Sequence, residues 1–381
     1  MPKLNECYLD FASSTPVYPE VLTSYSQLLP LYYANSNALH LAGLNVAKML
    51  EESRLSCAKQ LNVNVKSLSF VSGATLANNV ILKGIAKQYS NRGKHIITSA
   101  IEHASVLEVM KDLEKYDGFD LTILNVNENG IIEDTTLLNA LREDTILVSI
   151  MAVNNEIGTI LPVEHYAKCV HENSKAFFHT DAVQALAKHD IDLNQVDAAS
   201  FTAHKIHGLK GSGLIYLKPS IQLFPLISGG HSANERVPGT PDACAHILFA
   251  KTLRLAKEEA IKSKAKLHEL NSYLREQLLT IDSIVINSPS TSVSDYIVNF
   301  SCLVLPSQVL LNILSEKGIY ASAAATCSDQ SFKPSHVLMA MKKDEACLKG
   351  VIRISLSASI SKEDIDRLIT TIRNGIKEYA R

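Results

Sequence analysis

Apolar residues along this chain follow two rhythms, and the rhythms alternate. Short runs such as Leu68–Val71, HIITS from His95, DLTIL from Asp120 and TILVSIMAV from Thr145 read as strands, because β-branched and apolar residues crowd consecutive positions. Between them apolar residues recur at three- and four-residue spacing, which predicts helices over about 103–116 and near 137–141. Two further strand-like runs, 176–178 and 198–201, precede GLIYL at 213–217, and an earlier helix is predicted over 42–61. Strand and helix in alternation predict an α/β fold, with a mostly parallel sheet covered by helices. A long amphipathic stretch over 245–281 has the length of a helix that bridges two domains. Beyond it, strands at 283–286, 296–303 and 351–356 mix with helices at 307–317, 335–341 and from Ser361, where Ser-Lys-Glu-Asp has a capping-box pattern. This end reads as a small α+β unit.

The polar residues gather where the strand runs stop. In an open α/β sheet, ligands sit beyond the carboxyl ends of parallel strands. Those ends carry Ser72-Gly73-Ala74-Thr75, His103, Asn154-Asn155, Thr180-Asp181 and His204-Lys205. The first is a strand-turn-helix layout whose free N–H groups suit a phosphate, or equally a turn capped by Ser72 or Thr75. A lysine that reacts as an amine needs a depressed pKa or a carbonyl partner, and pyridoxal phosphate supplies the second. That group also needs an acid near its ring nitrogen. Asp181 and Lys205 are the right types for this pair, with Gln184 in reach of a ring hydroxyl; they read equally as a helix cap and a surface charge. The glycines after Lys205, Gly208, Gly211 and Gly213, would let bare backbone pass close to a bulky ligand. Arg353, a cation inside the apolar VIRISL, either forks onto a carboxylate or points to solvent.

Composition narrows the class. The chain has 381 residues, 46% hydrophobic and 20% charged, enough for two ordinary globular domains. A net charge of -2 gives no basic field for nucleic acid, and no apolar run is long enough to span a bilayer. The seven cysteines lack CxxC spacing and are odd in number, so neither a disulfide framework nor a metal site is expected. Reduced thiols and a start without a signal-peptide pattern point to the cytoplasm. Cys302 falls inside a strand run and reads as core, whereas Cys327 sits among small polar residues and reads as an exposed, reactive thiol.

Eight ordered segments together resemble a known family: YLDFASSTPV, FVSGATLANNVILKGIA, HIITSAIEHASVLEV, LVSIMAVNNEIGTILPV, FHTDAVQALAKHDIDL, FTAHKIHGLKGSG, ATCSDQSFKPSHVL and VIRISLS. They are similar to the cysteine desulfurases of the NifS/IscS type, class V aminotransferase relatives among the fold-type I pyridoxal-phosphate enzymes. The resemblance implies a large domain (15–255) on a mostly parallel seven-stranded sheet and a small α+β domain (1–14 and 256–381) carrying a catalytic cysteine loop. It implies that Lys205 is the Schiff-base lysine, that Asp181 pairs with the ring nitrogen, that Gln184 meets the ring oxygen, and that His103 stacks on the ring and moves protons. Thr75, Thr202 and His204, with the backbone of Ala74, would hold the phosphate, and Thr240 would reach it from the other subunit of a homodimer. Asn155 and Arg353 would grip the carboxylate of L-cysteine, and Cys327 would accept its sulfur. The sulfur would pass to an iron-sulfur scaffold or a tRNA-thiolation relay. A selenocysteine lyase, another class V aminotransferase or lyase, and a non-catalytic scaffold in a sulfur-transfer complex are the alternatives. The chain departs from the family pattern at Leu76, at Leu209 and at Val237-Pro238.

Overall fold

The computed structural model describes residues 6–230, 236–323 and 334–379. The chain enters through β1 (Cys7–Tyr8), α1 (Pro19–Leu28) and α2 (Leu41–Leu61). It then alternates through β2 (Leu68–Val71), α3 (Ala74–Gln88), β3 (His95–Ser99), α4 (Ala104–Asp117), β4 (Asp120–Leu124), α5 (Asp134–Ala140), β5 (Thr145–Ser149) and α6 (Val163–Asn173). Strands β6 (Phe177–Asp181), β7 (Ala198–Thr202) and β8 (Gly213–Leu217) follow. These strands form a seven-stranded sheet in the order β2-β8-β7-β6-β5-β3-β4, in which only β8 runs against its neighbours. The sheet is therefore mostly parallel, as the alternation predicts.

Successive side chains of a strand face opposite ways, so each face collects its own core. Ile96, Ile215 and Leu217 pack with α3 and α4 on one side, while Ile97, Val148, Phe178, Leu214 and Tyr216 pack with α2 and α6 on the other. A long helix, α7 (Ala243–Leu279), leaves this unit. Its first turns contribute Phe249 and Leu253 to the large-sheet core, and its later turns contribute Leu267, Leu270, Leu274 and Leu278 to a separate one. After α7 come β9 (Ile284–Ile286), β10 (Ile297–Cys302), α8 (Ser307–Glu316), β11 (Ile319–Tyr320), α9 (His336–Ala340), α10 (Glu345–Lys349), β12 (Val351–Ser355) and α11 (Lys362–Tyr379). Val337 and Leu338 of α9 pack into the large-sheet core, whereas the second core draws on β9, β10, α8, β11, β12 and α11. Antiparallel β9, β10 and β12 form its sheet, and β1 pairs with β11, so Cys7, Leu9 and Phe11 belong to this core too. The capping box at Ser361 forms, with Ser361 N–H donating to Asp364 and Asp364 N–H donating back to Ser361 Oγ.

Three local differences from the sequence pattern have physical reasons. Helix α5 starts at Asp134, ahead of its apolar positions, and α6, whose buried stripe is Val163, Tyr166, Ala167 and Val170, was not anticipated. Strand β6 runs on through polar His179, Thr180 and Asp181, because His179 meets Ser149 Oγ at 2.9 Å and Ser200 Oγ at 3.0 Å on the two adjacent strands. A buried polar rung of this kind has no hydrophobic signature. Among the described residues no helix is long and apolar enough to cross a membrane.

Candidate active site

The carboxyl ends of the strands open into one cavity of about 890 Å³. Its wall includes Ala74, Thr75, His103, Asn155, Asp181, Gln184, Thr202, His204, Lys205 and Arg353, which places ten of the residues singled out from sequence around a single space. Thr240 is exposed and lies outside that wall, and Cys327 falls outside the described residues. The size suits a cofactor-sized ligand.

At one end, the turn after β2 feeds α3, whose N-cap is Gly73 with no side-chain cap. Neither Ser72 nor Thr75 caps the helix, so the capping alternative falls away. The first N–H groups of α3 have no intrahelical acceptor, and the helix dipole adds positive potential there. Thr75, Thr202 and His204 surround this end. Burial, then the charges of Lys205 and Lys210, lower the His204 imidazole to about 4, and its Nδ1 is buried without a partner.

The middle of the cavity is organised by a residue the sequence reading passed over. Asn78, fully buried on α3, donates through Nδ2 both to Asp181 Oδ2 (2.9 Å) and to Ser105 Oγ (2.8 Å). Val183 N–H supplies the other Asp181 oxygen at 3.1 Å. Ser105 in turn addresses His103 Nδ1 twice, by its hydroxyl at 2.8 Å and its N–H at 3.1 Å. An Nδ1 that accepts a backbone N–H carries no proton, so neutral His103 holds its proton on Nε2. Burial is the main cause lowering the His103 pKa, opposed by Asp181 and assisted by Lys205, His336 and Arg353. The only hint of Asn78 in the sequence was a polar residue within an apolar helical face, which by itself is uninformative.

Lys205 Nζ donates to the carbonyls of Ala12 and Ser13, both at 2.6 Å, and Gln184 Nε2 donates to Ala12 at 2.9 Å. The segment after β1 thus closes one side of the cavity. Arg353, only 3% exposed, forks: one nitrogen donates to the Asn155 carbonyl (2.9 Å), the other to Asp10 Oδ1 (2.8 Å) and Ser13 Oγ (2.6 Å). Of the two sequence alternatives for this arginine, pointing to solvent is excluded and a carboxylate is engaged, through one nitrogen only. The glycine reading needs correcting. A side chain on Gly213 would strike the Gly73 backbone at 2.7 Å, and one on Gly208 would strike Ala203 at 2.6 Å, so these two serve packing of protein against protein. Gly211, with φ +76, alone of the three lines the cavity.

These residues fit pyridoxal phosphate: an uncapped helix start for the phosphate, a buried carboxylate for the ring nitrogen, a lysine for the aldehyde, and unpartnered buried atoms on Gln184 (Oε1) and His204 (Nδ1). Fold and cavity together define a fold-type I pyridoxal-phosphate enzyme. The chain belongs to the aminotransferase class V family, whose model matches residues 7–368. A cysteine desulfurase IscS from Dictyoglomus turgidum is 36% identical over 376 residues, 98% of this chain and 95% of that protein. The mitochondrial cysteine desulfurase of Saccharomyces cerevisiae is also 36% identical, over 97% of this chain and 75% of its own length. Among solved structures, a NifS-like protein superposes with a TM-score of 0.91 at 33% identity, covering 98% of this chain and all of that one. SspA in complex with cysteine gives a TM-score of 0.81 at 30% identity, covering 92% and 98%.

Proposed function

We propose that this protein is a cysteine desulfurase that converts L-cysteine to L-alanine and holds the sulfur as a persulfide on Cys327. The observation that carries the reading is the meeting of Lys205, Asp181, His103, Gln184 and Arg353 in one cavity, in a chain alike over nearly its whole length to cysteine desulfurases. Bound pyridoxal phosphate supplies an electron sink for a carbanion at the substrate Cα. Lys205 would hold the cofactor through its aldehyde and, as a free amine, move the Cα proton. Asp181, held by Asn78 and Val183 N–H, keeps the ring nitrogen protonated. The α3 N–H groups with Thr75, Thr202 and His204 hold the phosphate, and Gln184 orients the ring. His103, neutral and carrying its proton on Nε2, exchanges protons at the substrate. Asn155 and the Arg353 fork bind the substrate carboxylate, for which Asp10 is the stand-in partner.

The thiolate of Cys327 attacks the substrate sulfur. An S–S bond forms, the Cβ–S bond breaks with its electron pair left on carbon, and that carbon takes a proton. Support for bringing this cysteine to the cavity comes from the described residues on either side of it. Ser322 pairs with Arg353 in both directions, and Ser335 donates to buried Glu156 while His336 meets the Glu102 carbonyl at 2.9 Å. The persulfide passes to an acceptor protein, an iron-sulfur scaffold or a tRNA-thiolation relay.

We also assign a homodimer, in which Thr240 of one chain reaches the phosphate of the other. Exposed Leu31, Tyr33, Leu39 (92% exposed), Leu41 and Leu44 form an apolar patch around the α1–α2 connection, as a subunit interface would. The division into 15–255 and 1–14 with 256–381 is supported by the two cores, with α9 the exception, since its Val337 and Leu338 pack into the large-sheet core. The six described cysteines are free thiols, which suits the cytoplasm.

The test is alanine formation from L-cysteine by the pyridoxal-phosphate-loaded protein beside its Cys327→Ser variant. Alanine from the parent alone is expected. Equal turnover by the variant would point instead to a lyase or aminotransferase, and a protein that never takes up the cofactor would point to a scaffold.

A further inference from the structure

Away from the cavity, three side chains of different chemistry aim their donor atoms at one point. Asp134 is the first residue of α5, and His165 and Cys169 lie one turn apart on α6. Each offers one ligand atom, and the three atoms all lie within 4.8 Å of one another. His165 Nε2 is 2.8 Å from Asp134 Oδ2 and 3.7 Å from Cys169 Sγ. Their spacing is set by buried scaffold. Leu137 of α5 and Val163, Tyr166 and Val170 of α6 share one core, and the Tyr166 hydroxyl donates to the Ile132 carbonyl at 2.8 Å, fixing the approach to α5.

A thiol, an imidazole and a carboxylate can also form a nucleophile relay. A relay uses both ring nitrogens, one toward the thiol and the other toward the carboxylate. Here a single nitrogen, Nε2, meets both partners. One ring nitrogen cannot accept a thiol proton while donating its own to a carboxylate, but it can share a cation with both. We propose that Asp134, His165 and Cys169 form a three-ligand zinc site whose fourth tetrahedral position is open to water.

The donor set and the distances favour this metal. Zinc takes thiolate, imidazole and carboxylate ligands, whereas calcium and magnesium require oxygen. Tetrahedral zinc at its usual bond lengths separates its nitrogen and sulfur ligands by about 3.6 Å, so the His165–Cys169 spacing already fits. Its nitrogen and oxygen ligands stand about 3.4 Å apart, so exposed Asp134 would withdraw by roughly half an ångström. None of the three residues lines the catalytic cavity.

The experiment uses the full, pyridoxal-phosphate-loaded chain with Cys327→Ser, which removes a competing thiol, titrated with zinc chloride by calorimetry and with cobalt chloride by absorbance. Expected are one zinc per chain and a near-ultraviolet sulfur-to-cobalt band. Adding Cys169→Ser should abolish the band and weaken zinc binding by about tenfold or more, as should His165→Ala for zinc. In the Cys327-intact protein, Cys169→Ser should leave alanine formation at the parental rate. His165 is exposed and Cys169 half-buried, and matching near-ultraviolet circular dichroism confirms that the variants fold. Absence of zinc uptake, or uptake unchanged by Cys169→Ser, overturns the site whatever the outcome of the alanine assay.

Discussion

Asn78 and Glu102 show how single buried polar residues set the chemistry without any sequence signature. Asn78 spends one amide proton on Asp181 and the other on Ser105, so the residue assigned to the ring nitrogen and the residue assigned to proton exchange are oriented by the same side chain. Glu102, next to His103 and fully buried, accepts from Ser99 Oγ (2.6 Å) and Met151 N–H (2.9 Å), while its second oxygen has no partner. Burial raises its pKa from 4.5 to about 8, against those two hydrogen bonds and with a small push from Asp181. The folded state therefore holds a proton that the unfolded chain has lost between those values. Glu102 favours the fold most below its unfolded pKa, and that contribution declines as pH rises through the folded pKa. Replacing Glu102 with Gln should flatten the pH dependence of stability between about 4.5 and 8 and stabilise the protein at the upper end by on the order of a few kcal/mol. Urea denaturation across that range measures it, and a variant with the parental pH slope would refute the assignment.

At the scale of elements, the cavity depends on how closely β8 is laid against the turn that starts α3. Gly213 opens β8, pairs with Val71 of β2 and Thr202 of β7, and presents bare Cα to the Gly73 backbone. A methyl there meets Gly73 Cα at 2.7 Å and the Phe201 carbonyl at 2.8 Å, both backbone atoms that cannot rotate away. Gly213→Ala should push the turn off its N–H geometry and lower pyridoxal-phosphate affinity by about tenfold or more, seen as cofactor loss on dilution, with a smaller loss of melting temperature. Unchanged cofactor retention would show that the turn does not read the phosphate. Strand ends such as Thr180-Asp181 and His204-Lys205 were legible because polar residues closed apolar runs. The reversal of β8 and the true role of the glycines were not, since a strand's direction and its backbone contacts leave no mark on its composition.

At the scale of the molecule, two cores are spanned by α7 and one cavity draws on both, with Arg353 from β12 reaching residues 10–13 and Asn155. The apolar patch at Leu39 and Leu41 gives the expected assembly a test. Sedimentation should report the mass of two chains, and Leu39→Lys with Leu41→Lys should shift it toward one chain and weaken cofactor retention, because Thr240 would lose its cross-subunit position. A monomeric parent that keeps its cofactor would refute the dimer. The linear chain by itself determined the class of fold, through alternating hydrophobic periods, and the candidate chemistry, through reactive residues punctuating strand ends. Only the tertiary structure decided which of those residues share a space. The Asn78 bridge, the Arg353–Asp10 pair and the Asp134–His165–Cys169 cluster each join residues whose meeting depends on how elements pack. Hydrophobic patterning records which face of an element is buried, but not which polar atoms will stand opposite one another once it is.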